Sequence, residues 1–138
     1  LKGHMHGDGA TEIVLYTRDQ PNLFAASVAA LNQLDLSVHD ANIHTAQSGL
    51  CLNTYVVLGS DGQPLGRDAA GRERLVKALT SALRDPAKYP KVMRRRVSRR
   101  MRQLTRATEV TLRNRRGARH SELTIVAADR PGLLATVG

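Results

Sequence analysis

Asp19-Gln20-Pro21-Asn22-Leu23-Phe24-Ala25 reads as a sharp corner between an extended run and a helical one, and the chain carries it twice. Asp129-Arg130-Pro131-Gly132-Leu133-Leu134-Ala135 repeats it at an offset of 110 residues. The approaches match as well: Thr11-Glu12-Ile13-Val14-Leu15 precedes the first copy and Ser121-Glu122-Leu123-Thr124-Ile125 the second. A repeat at fixed offset redefines the domain question before any element is assigned. With 138 residues the chain has room for one ordinary domain, not for two copies of a unit this long. The second copy therefore reads as the opening of a further, truncated unit, and the chain as an excised piece.

Working outward from the first corner, 12–17 alternates as a strand, with Ile13 and Leu15 on one face and Val14 and Tyr16 on the other. Pro21 cannot donate to a ladder but suits the first turn of a helix, and Asp19 ahead of it is placed to cap free N–H groups. Leu23, Ala26, Ala30 and Leu34 then recur at near-helical spacing, which predicts a helix over about 22–34. In 36–44, Leu36 and Val38 share one parity while Ala41 and Ile43 share the other, so a bulge or turn is expected near His39-Asp40. Ser48-Gly49 makes a hairpin into a strand over 50–58, in which Cys51, Asn53, Tyr55 and Val57 face one way. A loop over 59–64 leads to an amphipathic helix over 72–83, striped by Leu75, Val76, Leu79 and Leu83. A last strand is expected over 108–114. The order β-α-β-β-α-β is buried most economically by one sheet of four antiparallel strands with two helices on one face, a ferredoxin-like α+β sandwich.

The ends and the charge complete the outline. Residues 1–10, with three Gly and two His, carry no periodicity and read as a flexible leader in which His4 and His6 have no scaffold to hold a metal. The net charge of +9 is concentrated: 84–119 holds 14 Lys and Arg against Asp85 and Glu109. One cysteine, Cys51, excludes an internal disulfide and reads as a small apolar core residue. No apolar run is long enough for a membrane span and no signal-peptide core is visible, so a soluble, cytoplasmic protein is expected.

A βαββαβ unit entered through Asp-x-Pro-Gly-Leu resembles the ACT domain, a small-molecule-sensing module, and Asp129 to Leu133 fits that signature fully. The tandem corners, together with Leu36-Ser37-Val38-His39-Asp40-Ala41-Asn42-Ile43 and Asn53-Thr54-Tyr55-Val56-Val57-Leu58, resemble the C-terminal ACT region of bifunctional PII uridylyltransferase/uridylyl-removing enzymes. On that resemblance, 11–116 is a first ACT domain with 84–107 as a basic insertion before its last strand, and 120–138 opens a second. The resemblance implies glutamine as effector, and PII protein and upstream catalytic domains as partners. It also implies ACT–ACT pairing or a homo-oligomer, and Mg in the parent enzyme. No catalytic signature of the nucleotidyltransferase or hydrolase kind stands in this chain, so neither catalytic residues nor a cofactor are expected here. One departure is visible: Asn22 stands where the second copy has Gly132.

The candidate ligand site follows from the corner's chemistry. A helix N-terminus presents N–H groups and the positive end of the helix dipole, which attract a carboxylate. Asp19, Gln20, Pro21, Asn22 and Leu23 form the first such corner, and Asp129, Pro131, Gly132 and Leu133 the second. The plainer reading of either is a strand-to-helix turn. Asp40 and Asn42 share a strand face and are candidates to read an amino or amide group brought by a neighbouring unit; exposed polar strand residues are the plainer alternative. His39 and His44 are five apart, which separates them unless the bulge intervenes, so no shared metal is expected. Arg94, Arg95, Arg96, Arg99 and Arg100 form a basic contact surface in 91–106. With Tyr89 the one aromatic nearby, base stacking is poorly supplied, and a linker touching acidic protein surfaces is preferred over nucleic acid. A nucleic-acid-binding module built on 91–106, or a ligand-free ACT assembly unit, are the alternatives. The strand at 122–128 is expected to pair with the first unit's sheet or with another chain, because a bare edge leaves backbone groups unpaired.

Overall fold

The computed structural model describes residues 2–5 (backbone only), 9–65, 69–87, 107–114, 117, 121–128 and 133–134. In order the elements are β1 (Lys2–Met5), β2 (Thr11–Arg18), α1 (Leu23–Gln33), β3 (Leu36–Thr45), β4 (Leu50–Gly59), α2 (Ala69–Arg84), β5 (Glu109–Asn114) and β6 (Ser121–Val126). The architecture is α+β with antiparallel sheets, as the periodicities predict. One sheet has the order β1-β2-β4-β3; β5 and β6 form a separate two-stranded ribbon.

β2 and β4 make the centre of the sheet, paired from Thr11↔Val57 to Arg18↔Leu50. Alternation sends Ile13, Leu15, Tyr55 and Val57 inward, where they pack with Ala26, Val28, Ala30 and Leu31 of α1 and with Leu75, Leu79 and Ala82 of α2. Burying such aliphatic side chains stabilises the fold by about 1.5–3 kcal/mol each. Both helices lie on this face. The other face carries Val14, Tyr16, Leu52 and Val56 at its middle, and Tyr16 remains 65% exposed.

The parity break in β3 is real: the pairing with β4 shifts between Val38 and Asp40, leaving His39 as the extra residue. That bulge lets Val38 and Ala41 both face the helices, opposite Val57 and Tyr55. The hairpin to β4 closes with Gly49 at φ 76°, where a Cβ would be strained. Thr11 Oγ1 donates to Leu65 O at 2.7 Å, fastening the loop after β4 to the start of β2.

Two expectations change. The leader contributes a strand: Lys2–Met5 pairs with β2 from Lys2↔Val14 to Met5↔Thr11. Its physical reason is the outer edge of β2, whose backbone groups are satisfied by any extended segment whatever its side chains. Correspondingly, Glu109–Asn114 does not close the sheet. It pairs with β6, Val110 opposite Ile125 and Leu112 opposite Leu123, so within the chain β6 finds its partner in β5 and not in the main sheet. Beyond the ribbon, Leu134 packs against the core of the main sheet. The basic surface at Arg94, Arg95, Arg96, Arg99 and Arg100 lies outside the described residues, as do Asp129, Pro131 and Gly132.

Candidate functional site

The first corner is built by β2 running out at Arg18 and α1 beginning at Leu23. Asp19 N–H donates to Gly49 O at 2.8 Å, which ties the corner to the β3–β4 hairpin. Leu23 N–H donates to Gln20 O at 3.2 Å, and Ala26 N–H to Asn22 O at 2.9 Å. Gln20 Nε2 reaches Leu83 O at 3.4 Å, joining the corner to the end of α2. Asn22 stands at the helix N-cap with φ 63° and ψ 12°, a left-handed backbone, and makes no side-chain cap. Asn tolerates this conformation better than most residues, and Gly better still, which accounts for both residue types at this position of the repeat. α1 has no acidic residue in its first turn. The corner therefore offers the positive end of a helix dipole with no carboxylate from the helix itself to neutralise it.

Beneath α1 lies a polar cluster. Tyr55 is fully buried and stacks on Phe24 with ring centroids 6.2 Å apart. Asn53 Nδ2 donates to the Tyr55 hydroxyl at 3.4 Å, while Ser27 Oγ donates to Leu23 O at 2.8 Å. Asn53 Oδ1, also buried, finds no hydrogen-bond partner among the described residues. Burial pushes the Tyr55 hydroxyl above its ordinary pKa, and hydrogen bonds with Ser27 and Asn53 oppose the rise. The Cys51 thiol is raised first by burial and then by the nearby Asp19 carboxylate, against a lowering from the Thr17 backbone. The mixed row Cys51, Asn53, Tyr55, Val57 was visible in the sequence; a polar Asn among buried neighbours was its signal, and Ser27 gave none.

Asp40 and Asn42 lie elsewhere. They pair with Val56 and Thr54, so they occupy the sheet face turned away from the helices, with His44 two residues on. The corner from Asp19 to Leu23 belongs to the helical side. One chain does not bring these two groups together. Among the described residues no group of three or more His, Cys, Asp or Glu side chains is placed to hold a metal. No described helix is long and apolar enough to cross a membrane.

No family model matches the chain, and no solved structure matches it. Curated relatives do. It is 44% identical over 131 residues, 95% of its length, to the bifunctional uridylyltransferase/uridylyl-removing enzyme of Azotobacter vinelandii. The enzyme of the same name from Pseudomonas fluorescens strain Pf-5 is also 44% identical over that span, and that of Stutzerimonas stutzeri 42%. In each case the chain spans 15% of the relative's length. Over 95% of its residues, the chain is homologous to a segment of the bifunctional uridylyltransferase/uridylyl-removing enzymes, proteins several times its length.

Proposed function

We propose that this chain is a regulatory module of the ACT kind within a bifunctional uridylyltransferase/uridylyl-removing enzyme, and that it senses an amino acid, glutamine, at the corner between β2 and α1. The observation that supports this most is Asn22: a left-handed residue at a helix N-terminus without a side-chain cap, in a corner the sequence repeats. The first N–H groups of a helix lack intrahelical partners, and Phe24 and Ala25 supply those that follow Leu23. An α-carboxylate is the natural anion for them, and the Asp19 carboxylate is the natural partner for an ammonium group.

Asp40 and Asn42, on the opposite sheet face, reach such a ligand only from a neighbouring unit. The reading therefore includes pairing of units, either two ACT modules or two chains. Glutamine would bias the parent's activities by binding one arrangement of units more tightly than another. The parent would act on PII protein in the cytoplasm. Mg would belong to its catalytic domains, and Arg94, Arg95, Arg96, Arg99 and Arg100 would meet acidic surfaces of those domains or of PII.

Calorimetric titration of the parent enzyme with glutamine tests this. Saturable heat that is lost in Asp19→Ala and in Asp129→Ala is expected. No heat from an enzyme whose circular dichroism shows it folded overturns the reading.

A further inference from the structure

Three polar side chains are sealed where α1 meets β4: Ser27 and Tyr55 at 0% exposure and Asn53 at 1%. Such groups destabilise a core unless they are hydrogen-bonded, and here the count of protons fixes the direction of each bond. Ser27 has a single hydroxyl proton and donates it to Leu23 O at 2.8 Å. In its bond with Tyr55, Ser27 must therefore accept, and the Tyr55 hydroxyl donates. That spends the Tyr55 proton, leaving the oxygen to accept from Asn53 Nδ2 at 3.4 Å. Turning the Asn53 amide over would set Oδ1 against an oxygen with no proton left to give. The orientation is thus determined, and Oδ1 is the atom without a partner among the described residues.

An unpaired buried acceptor carries a desolvation penalty that an aliphatic side chain at the same place would not. What the polar row supplies is a hold on the first turn of α1. It ends on the carbonyl of Leu23, the first residue of α1, whose own N–H donates back to Gln20 O. The next residue, Phe24, stacks on the Tyr55 ring. A serine bonded to the carbonyl four residues back is common in helices. The additional feature is Tyr55, which ties that serine to a different element. A side-chain cap would hold a first turn through its N–H groups, and Asn22 makes none. The row grips through a carbonyl and draws on none of those N–H groups.

We propose that Asn53, Tyr55 and Ser27 form a directed hydrogen-bond row that positions the first turn of α1, and with it the N–H groups of the corner, over β4. Asn53 is a positioning residue: it acts through the Tyr55 hydroxyl, which it orients towards Ser27. The row anchors the corner from beneath and leaves its upper side to a ligand. This deepens the sensing reading and rests on it only where glutamine affinity is measured, since the anchoring itself needs no ligand.

Amide hydrogen exchange on the whole chain tests the anchoring. Tyr55→Phe keeps the ring and cuts the bond to Ser27, and Ser27→Ala cuts it from the other side. In each, exchange at Ala26 and Ser27 should quicken about tenfold or more relative to the amides of β2 and β4. The double variant should add little to the faster single, because both break one row. Uniform quickening across α1, β2 and β4, or none at all, overturns the proposal. Asn53→Leu keeps the branched shape and removes the unpaired acceptor. Its thermal midpoint should equal or exceed the parent's while exchange at Ala26 and Ser27 still quickens by about threefold or more. A lowered midpoint would mean that Asn53 serves stability and would overturn its positioning role. In the parent enzyme, Asn53→Leu should weaken glutamine binding by about threefold or more, and unchanged affinity overturns the claim that the row serves the corner. An unsubstituted enzyme that gives no heat with glutamine removes the sensing reading alone, and the exchange result then decides the anchoring.

Discussion

β2 and β6 begin from nearly the same sequence and end in different surroundings. Thr11-Glu12-Ile13-Val14-Leu15 sits at the heart of a sheet, with Ile13 fully buried beneath two helices. Ser121-Glu122-Leu123-Thr124-Ile125 forms one side of a ribbon in which Leu123, the counterpart of Ile13, is 58% exposed. Alternation decides that a segment is extended and which residues share a face. It does not decide whether that face is covered, because cover comes from elements distant in the chain. The pair therefore separates the local contribution of a strand sequence from the tertiary one.

The sharpest way to break the comparison is to truncate the matched residues. Ile13→Ala removes a fully buried side chain beside Tyr55 in the core under the helices and should cost about 2–5 kcal/mol. Leu123→Ala removes an exposed one and should lie within about 0.5 kcal/mol of the parent chain. Urea midpoints compared at equal slope measure both. Equal losses would mean that Leu123 is covered in solution, and that the contrast between β2 and β6 is smaller than their exposures imply.

A second test uses titration. Cys51 and Tyr55, on the buried face of β4, both have pKa values raised above the ordinary ones of about 8.5 and 10. A raised value means the folded chain holds its proton more tightly than the unfolded chain. The associated stability is fully present below the unfolded-state value and is lost as pH climbs above it. Stability should thus begin to fall near pH 8.5 and steepen past pH 10, by at most about 1.4 kcal/mol per pH unit for each group. Cys51→Ala should remove the first part of the decline. Both groups lie on β4, so the slope should report on the main sheet.

The elements on either side of the first corner were legible because each has its own period. Ile13 and Leu15 announce a strand, Leu23 to Leu34 a helix, and the clash between Val38 and Ala41 a bulge or turn near His39-Asp40, which the register with β4 then fixes as a bulge at His39. The leader was not legible. An edge strand of four residues is held by backbone groups that β2 offers, and Lys-Gly-His-Met has no pattern that advertises it. β5 was legible as a strand but not in its partner, since Val110 and Leu112 alternate equally well against β2 or β6. At the corner, the sequence showed the residues and the left-handed tolerance of Asn22. That Asp40 and Asn42 face away from the corner depends on the bulge and on which side the helices pack, and only the assembled sheet displays it.

The smallest effect bears on one of the three positions at which the two corners differ, Asn22 against Gly132. Asn22 occupies a left-handed backbone at φ 63°, where a Cβ without a helpful polar side chain is disfavoured by roughly 1 kcal/mol or more. Asn22→Ala should therefore destabilise the main sheet unit by about 1 kcal/mol. Asn22→Gly makes the first corner like the second. It relieves the left-handed strain but frees the unfolded chain, and these opposed terms should leave stability within a few tenths of a kcal/mol. The informative readout is then binding. Asn22 makes no side-chain cap, so under the proposed glutamine binding, if its backbone alone matters, Asn22→Gly keeps the affinity within about twofold while Asn22→Ala loses stability. A large loss of affinity in the stable Asn22→Gly variant would show that the Asn22 carboxamide itself touches the ligand, and that the two corners bind by different chemistry.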